Sequence, residues 1–540
     1  MTFYTKSSKI KKVKKLRGDK KVEPNQICEL IMFVLYFAFM LAIGIWFFVK
    51  SKDKGEKDYF LGGRNMNGLV SALSAGASDM SNWVLMGLPG AICLAGFGEV
   101  WISIGLVLGT ILAWIFVAPR LRRYAIKAGD SITIPQFFAN RFKEKGTVLK
   151  IACAVIFVVG YCLYAASSIV ACGKIFSTIT GLDKKWAMVI SAIIIVGYTM
   201  LGGFSAVCWT DFFQGMLMLV ALMALPIVAL FVLDKNAVEI TNPNYYSFLS
   251  TGAFDWKSIS GILTGLGWGI GYFGMPHILV RYMAIKNEKE MKKSRIIGIT
   301  WTTLILIMAT VLGIVAHEYM GGIVNSDNKE NVFIELTRMI FGKGGWGLIS
   351  GLLLSAIVAA AMSTADSQLL ASSSAFSSDI YKQVIKKDAT DKEMLWVGRV
   401  VVAVITIIAT LIAVFFEKTS IMSLVSAAWS IFGSAFGAIM IYSLFWKRFN
   451  YKGAIASIIT GFAVSILWMV LFNFEYYEFT SIIANTGLYE IVPGFIASLV
   501  AGLVVSLSTK APSKEVTDLF EQVKNYKEDE EGKEILESQN

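Results

Sequence analysis

Apolar residues in this chain neither alternate nor recur as narrow stripes; they continue for twenty or more positions at a time, separated by short polar clusters. A helix needs about 20 mainly apolar residues to cross a bilayer. Runs of that kind predict thirteen spans, at 27–50, 68–95, 99–119, 147–175, 186–204, 208–233, 257–284, 294–318, 344–374, 395–416, 420–445, 453–473 and 488–508. The run at 344–374 is longer than one crossing requires, so Ser372, Ser373 and Ser374 in its second half are expected at or beyond the interface. The fold class is therefore an all-α polytopic membrane protein. Its expected plan is a basic, disordered tail at 1–26, a transmembrane domain at 27–508 and a polar tail at 509–540, acidic and disordered after Lys527.

Composition narrows the function classes. A chain of 540 residues would make three or four soluble domains at roughly 150 residues each. Here 55% of residues are hydrophobic and 16% charged, where a soluble chain carries about 25% charged residues. The net charge of +11 does not indicate a nucleic-acid partner, because the basic residues lie between the apolar runs and so mark topology. Basic clusters follow the first, third, seventh, ninth and eleventh spans, whereas 90–100 and 474–487 have no Lys or Arg. By the positive-inside rule the odd spans exit to the cytoplasm of a cell-membrane protein, with the N-terminus outside and the C-terminus inside. The Lys- and Arg-rich stretch from Lys6 to Lys21 opposes this orientation. No cleavable leader is expected, since the first apolar run is long enough to span. The six cysteines show no CxxC spacing and read as small buried residues.

An ionisable side chain at the bilayer centre costs about 2.5–3.5 kcal/mol on insertion scales and is a functional hypothesis by default. Asp79, Asp211 and Asp366 qualify, whereas Glu99, His277 and Glu318 lie near span ends and read as interfacial. Two spans look broken. The second holds Asp79 and then Gly87, Pro89 and Gly90; the seventh holds glycines from Gly265 to Gly274 followed by Pro276. Freed backbone groups are tolerated at membrane depth only where protein or a cavity satisfies them. Two such spans five apart predict an inverted repeat of spans two to six and seven to eleven, with the binding site at the breaks. Close helix packing is the alternative, and it accounts for Gly265 and Gly269 alone. The GxGxxG match at Gly269–Gly274 has no preceding strand and does not indicate nucleotide binding.

In the ninth span Ala360, Ser363, Thr364 and Ser367 fall on one helix face. Hydroxyls and backbone carbonyls are hard oxygen donors suited to a small hard cation. The alternative is hydroxyls bonding back to their own helix.

These motifs resemble the sodium/solute symporter family, and within it the sodium/proline symporters. The strings that carry the resemblance include LGGR ending at Arg64, SAGASDMS with WVLMGLPGA, GGFSAVCWTDFFQ, GWGIGYFGMPHILVRYMA, LLLSAIVAAAMST and LYEIVPGF. The resemblance implies thirteen helices in a LeuT-type fold. It implies a sodium site from the carbonyls of Ala77, Met80 and Ala360 and the hydroxyls of Ser363 and Thr364, with Asp79 required for sodium affinity and Ser81 linked to ion and substrate affinity. It implies a proline pocket using Tyr164, Trp268 and Tyr272, with Pro276 following, and a coupling role for Arg64. Asn82 stands where proline symporters usually have glycine, which opens the substrate question. Asp366 stands where many relatives have a small or hydroxyl residue; with Asp211 and Ser367 it is expected to contribute to a second cation site. The expected function is sodium-coupled uptake of L-proline by alternating access, with Na+ as coupling ion, no organic cofactor and no enzymatic activity. The alternatives are symport of another amino acid, a sugar acid or a vitamin and, more remotely, an ion channel or an intramembrane aspartyl enzyme at Asp79 and Asp366.

Overall fold

The computed structural model describes residues 24–50, 56–143, 147–233, 242–320, 324–342, 344–416, 419–473, 483 and 485–526. The basic stretch at 1–23 and the acidic stretch after Tyr526 lie outside the described residues. Within them the chain is helical, and the one β feature is an isolated bridge between Met66 and Ile285. Every expected span falls on helix, and among the described residues ten helices are long and apolar enough to cross a membrane on their own. The fifth and sixth spans run together as Lys184–Val232, kinked at Gly203 (φ 63°, ψ −176°). That backbone conformation is open essentially to glycine alone, so the residue marks the turn between the two crossings.

Burial sorts the helices into a core and a periphery. In the most apolar stretch of the ninth and eleventh spans 83% of residues are buried, against 28% for the first, twelfth and thirteenth. A helix buried all round by protein belongs to the centre of the bundle. The ninth span continues without interruption from Gly347 to Ile385, about 58 Å at 1.5 Å per residue. It must therefore project past the hydrocarbon, as its length in the sequence suggests. Ser372, Ser373 and Ser374 nevertheless remain buried, covered by neighbouring helices. The first span is tied to this core through buried Glu29, whose carboxylate accepts from Ser350 Oγ at 2.6 Å and Arg338 Nη2 at 3.0 Å.

Both expected breaks are present. The second span is helical over Gly68–Asp79, leaves helical geometry at Met80 (φ −75°, ψ 67°), and resumes through a wide turn at Trp83–Gly87 into Leu88–Ala95. The seventh is helical over Trp256–Gly267, tightens to a 3₁₀ turn at Trp268–Phe273 and restarts at Pro276–Met283. The GxGxxG string is this tight turn. The start of the second span meets the end of the seventh, where Met66 N donates to Ala284 O and Lys286 N to Met66 O. The two broken helices are thus joined by backbone hydrogen bonds at these ends. Glycines serve packing here as well: a Cβ on Gly105 would lie 2.2 Å from Gly265 O, and one on Gly109 would lie 2.3 Å from Gly269 O. The third span is thus packed backbone to backbone against the broken seventh.

Two expectations change. His277 is fully buried, not interfacial, because the break restarts the helix at Pro276 and so brings the residue into the bundle's middle. The C-terminal segment is not simply a polar tail. Residues Lys514–Lys524 form a helix that buries Val516, Leu519, Phe520 and Val523, a spacing that makes one apolar stripe.

Candidate functional site at the helix breaks

The break in the second span faces the unbroken ninth. Ala77, Met80, Ala360, Ser363 and Thr364 are all fully buried. Ser363 Oγ lies 2.8 Å from the Ala77 carbonyl and 3.1 Å from that of Ala360, which brings the two helices together at this point. Thr364 Oγ1 is buried without a hydrogen-bond partner, an arrangement that is costly unless something meets it. Met80 has left the helical ladder, so its carbonyl is no longer aligned with the helix axis. The donor set is neutral oxygen only, the chemistry of a site for a small hard monovalent cation.

Asp79 closes the first half-helix and connects the two breaks. Its Oδ2 accepts a hydrogen bond from Tyr272 Oη on the seventh span, while its Oδ1 is buried and unpartnered. Its backbone carbonyl accepts from Trp83 Nε1 at 3.2 Å and Tyr164 Oη at 3.3 Å. Asp79 is therefore bonded to aromatic residues of the fourth and seventh spans as well as its own. The Trp268 ring stacks on Tyr489 at 5.3 Å and on Trp429 at 6.3 Å, and lies 5.7 Å from Trp83. Trp429 Nε1 donates to the Trp268 carbonyl at 2.7 Å, satisfying a backbone group left by the break.

Ser81 Oγ is buried and unpartnered within the same unwound stretch. Asn82 donates its amide nitrogen to the Ser167 carbonyl at 3.0 Å, and its Oδ1 is buried and unpartnered. Pro276 is the first residue of the restarted helix, where its fixed φ is preorganised and its missing N–H costs nothing. The aromatic wall contributed by Trp83, Trp429 and Tyr489 was not foreseen from the sequence. Trp83 had a signal, since it follows Asp79 by one helical turn; the other two did not.

Asp211, Asp366 and Ser367 also come together, around the guanidinium of Arg281. Arg281 places Nη2 2.8 Å from Asp211 Oδ2 and 2.5 Å from Ser367 Oγ, and its Nε 2.6 Å from Ser74 Oγ. Ser74 Oγ in turn donates to Asp211 Oδ2 at 2.6 Å. All five residues are buried. The guanidinium thus pairs with Asp211 through Oδ2, while Asp211 Oδ1 is buried and unpartnered. Asp366 is bridged to the group through Ser367 Oγ at 3.3 Å, with its Oδ2 buried and unpartnered.

Arg64 sits where the second span begins, in a left-handed conformation (φ 54°). Its guanidinium donates to Asp130 Oδ1 at 2.8 Å, to the Met283 carbonyl at 2.6 Å and to the Ser131 carbonyl at 2.5 Å. One side chain therefore clasps the loop after the third span to the end of the seventh, while Lys57 reaches Asp130 from the other side. Burial pushes the Asp130 carboxyl up, but Lys57 and Arg64 outweigh it and hold the group below the usual carboxylate range. A depressed carboxylate keeps its pairing above the unfolded value near 3.9 and loses it as pH falls through the folded value. The clasp is accordingly expected to be fully formed at neutral pH and to open only in acid. Asp130→Asn should leave thermal stability at neutral pH within about 1 kcal/mol of the parent, as for an exposed pair, which thermal unfolding of the purified variant measures.

Two broken helices crossing at a buried oxygen cluster and an aromatic wall define a secondary transporter of the LeuT-type fold. The chain belongs to the sodium:solute symporter family, whose model matches residues 59–461. It is 41% identical over 493 residues to the osmoregulated proline transporter of Bacillus subtilis, spanning 90% of this chain and 96% of that one. It is 42% identical to the high-affinity proline transporter of the same organism, over 89% and 98% of the two chains. A sodium/proline symporter of Staphylococcus aureus matches at 40%, over 91% and 94%. Among solved structures, a Na+-coupled sialic acid symporter superposes with a TM-score of 0.73 at 21% identity, covering 90% of this chain and 99% of that one. The transporter MhsT in complex with L-phenylalanine gives 0.52 at 15% identity, over 82% and 98%. At these identities the structural likeness concerns the fold.

Proposed function

We propose that this protein takes up L-proline across the cell membrane by sodium-coupled symport, through alternating access about the breaks in its second and seventh spans. The observation that carries the reading is the juxtaposition at Asp79: neutral oxygens from two helices on one side and the Trp268 and Tyr272 rings on the other. Sodium is assigned to Ala77, Met80, Ala360, Ser363 and Thr364. Proline is a compact zwitterion with an apolar ring, so aromatic faces suit both the ring and its ammonium. The N–H groups freed where the second half-helices start suit its carboxylate. The shared residue Asp79 explains how one ligand favours the other: both stabilise the same arrangement of the two breaks. One sodium ion crossing 100 mV releases about 2.3 kcal/mol, roughly a fiftyfold accumulation.

The names of the relatives support proline as the solute. Asn82 donates its amide nitrogen to the Ser167 carbonyl, while its Oδ1 has no partner among the described residues. With Arg281 already on Asp211, a single sodium site is the stoichiometry proposed. The orientation proposed places thirteen crossings with the N-terminus outside and the C-terminus in the cytoplasm, on the loop charges. The test is uptake of labelled proline into proteoliposomes with and without an inward sodium gradient, in competition with other amino acids and sugar acids. Uptake should require the gradient and be displaced by proline first; flux indifferent to sodium, or displaced more strongly by another solute, would overturn the reading.

A further inference from the structure

We propose that the protein binds the headgroup of an anionic phospholipid in a cleft between its third and eighth spans, closed at one end by the C-terminal helix Lys514–Lys524. The cleft has a volume of about 320 Å³. Its walls differ in kind. On one side stand Ile115 and Phe116, apolar and exposed on the outer surface of the third span, as residues facing acyl chains are. On the other stand Arg120, Arg123, Lys292, Arg295 and Lys524, with Glu288 the one carboxylate among the described lining residues. That carboxylate is already engaged by Arg123 through bonds of 2.7 and 2.9 Å. Beside that pair, Arg120, Arg295 and Lys524 bring like charge to the cleft.

Arg120 shows what that charge is set to meet. Its guanidinium carbon lies 5.1 Å from the centre of the Phe445 ring and 5.0 Å from that of Phe520, so two rings fix the group through its faces. Rings placed against a guanidinium in this way leave its remaining N–H groups to meet an anion. An N–H edge held in a fixed plane among further cations is the arrangement that recognises a phosphate. A free phosphate would satisfy the cations but not use the apolar wall. A phosphodiester attached to acyl chains uses both, and basic pockets between transmembrane helices at a membrane face are known to take such headgroups. Phe520 comes from the C-terminal helix, so an occupied cleft also holds that helix in place. The cleft lies on the face assigned above to the cytoplasm; binding itself depends on neither that assignment nor the transported solute.

The test is native mass spectrometry of the full chain in neutral detergent, titrated with phosphatidylglycerol, phosphatidylcholine or glycerol 3-phosphate. One phosphatidylglycerol should be retained in preference to phosphatidylcholine, and glycerol 3-phosphate should not displace it. At about one unit of surface attraction per cation, Arg120→Gln with Arg295→Gln should weaken retention roughly thirtyfold. Lys524→Gln, on an exposed position of a peripheral helix, should weaken it about fivefold and serves if the arginine pair does not fold. Lys387→Gln with Lys392→Gln, exposed on the same face, should change nothing. Equal retention of the two lipids, displacement by glycerol 3-phosphate, an unchanged Lys524→Gln protein, or an equal loss in the Lys387 and Lys392 control would each overturn the proposal.

Discussion

Replacing Ser363 and Thr364 together by alanine should abolish sodium-driven uptake at ordinary sodium concentrations while leaving the protein folded. In the proposed site each hydroxyl oxygen is a ligand to a buried cation, and polar contacts to a charge contribute roughly 1.5–3 kcal/mol apiece. Losing both raises the sodium concentration for half-maximal uptake by about two to four orders of magnitude. Folding should tolerate the change, since neither hydroxyl bonds another side chain: Ser363 Oγ reaches only carbonyls and Thr364 Oγ1 has no partner. Sodium titration of proline uptake, with thermal unfolding measured alongside, distinguishes the outcomes. A double variant with unchanged sodium dependence would remove the ninth span from the cation site.

Arg281→Gln should cost more in folding than any other single polar change near the site. It leaves Asp211 buried with only the hydroxyls of Ser74 and Ser367 for company. Breaking one side of a buried ion pair costs about 3–5 kcal/mol, mostly from the stranded charge. The amount of folded protein in the membrane should fall accordingly. Asp211→Asn added to Arg281→Gln removes the stranded charge and should recover much of that stability. Thermal unfolding of the purified single and double variants closes the cycle. If the double variant is as unstable as the sum of the two singles, Arg281 and Asp211 do not act as a pair.

The sequence exposes those parts of the site whose chemistry conflicts with its surroundings. Asp79 was conspicuous because a carboxylate inside an apolar run demands a reason, and the two breaks because glycine and proline weaken helices wherever they occur. The sodium oxygens came mainly from the family resemblance; the helical spacing of Ser363 and Thr364 alone left back-bonding open, and Ser363 does also bond Ala360 in its own helix. Arg281 escaped because it lies close to the end of an apolar run, where an arginine reads as interfacial. Only the break at Gly274 and the neighbouring spans turn it inward. Trp429 and Tyr489 are more than 150 residues in sequence from Trp268, and no local pattern sets them apart from lipid-facing aromatics. The C-terminal helix is a different kind of miss. Val516, Leu519, Phe520 and Val523 spell out its apolar stripe, but the charge of the surrounding segment suggested a tail.

The glycine contacts between the third and seventh spans bear on how the molecule moves. Gly105 and Gly109 on one side and Gly265 and Gly269 on the other bring main chains so close that a single methyl group at Gly105, Gly109, Gly265 or Gly269 would collide with backbone. Main chains in such contact have no side-chain layer between them to slip across, so the two segments must travel together. In the transport cycle the third span then acts as a splint for the first half of the seventh. The second half, beyond Gly274, is held instead by side chains, Arg281 on Asp211 and Arg64 on the Met283 carbonyl.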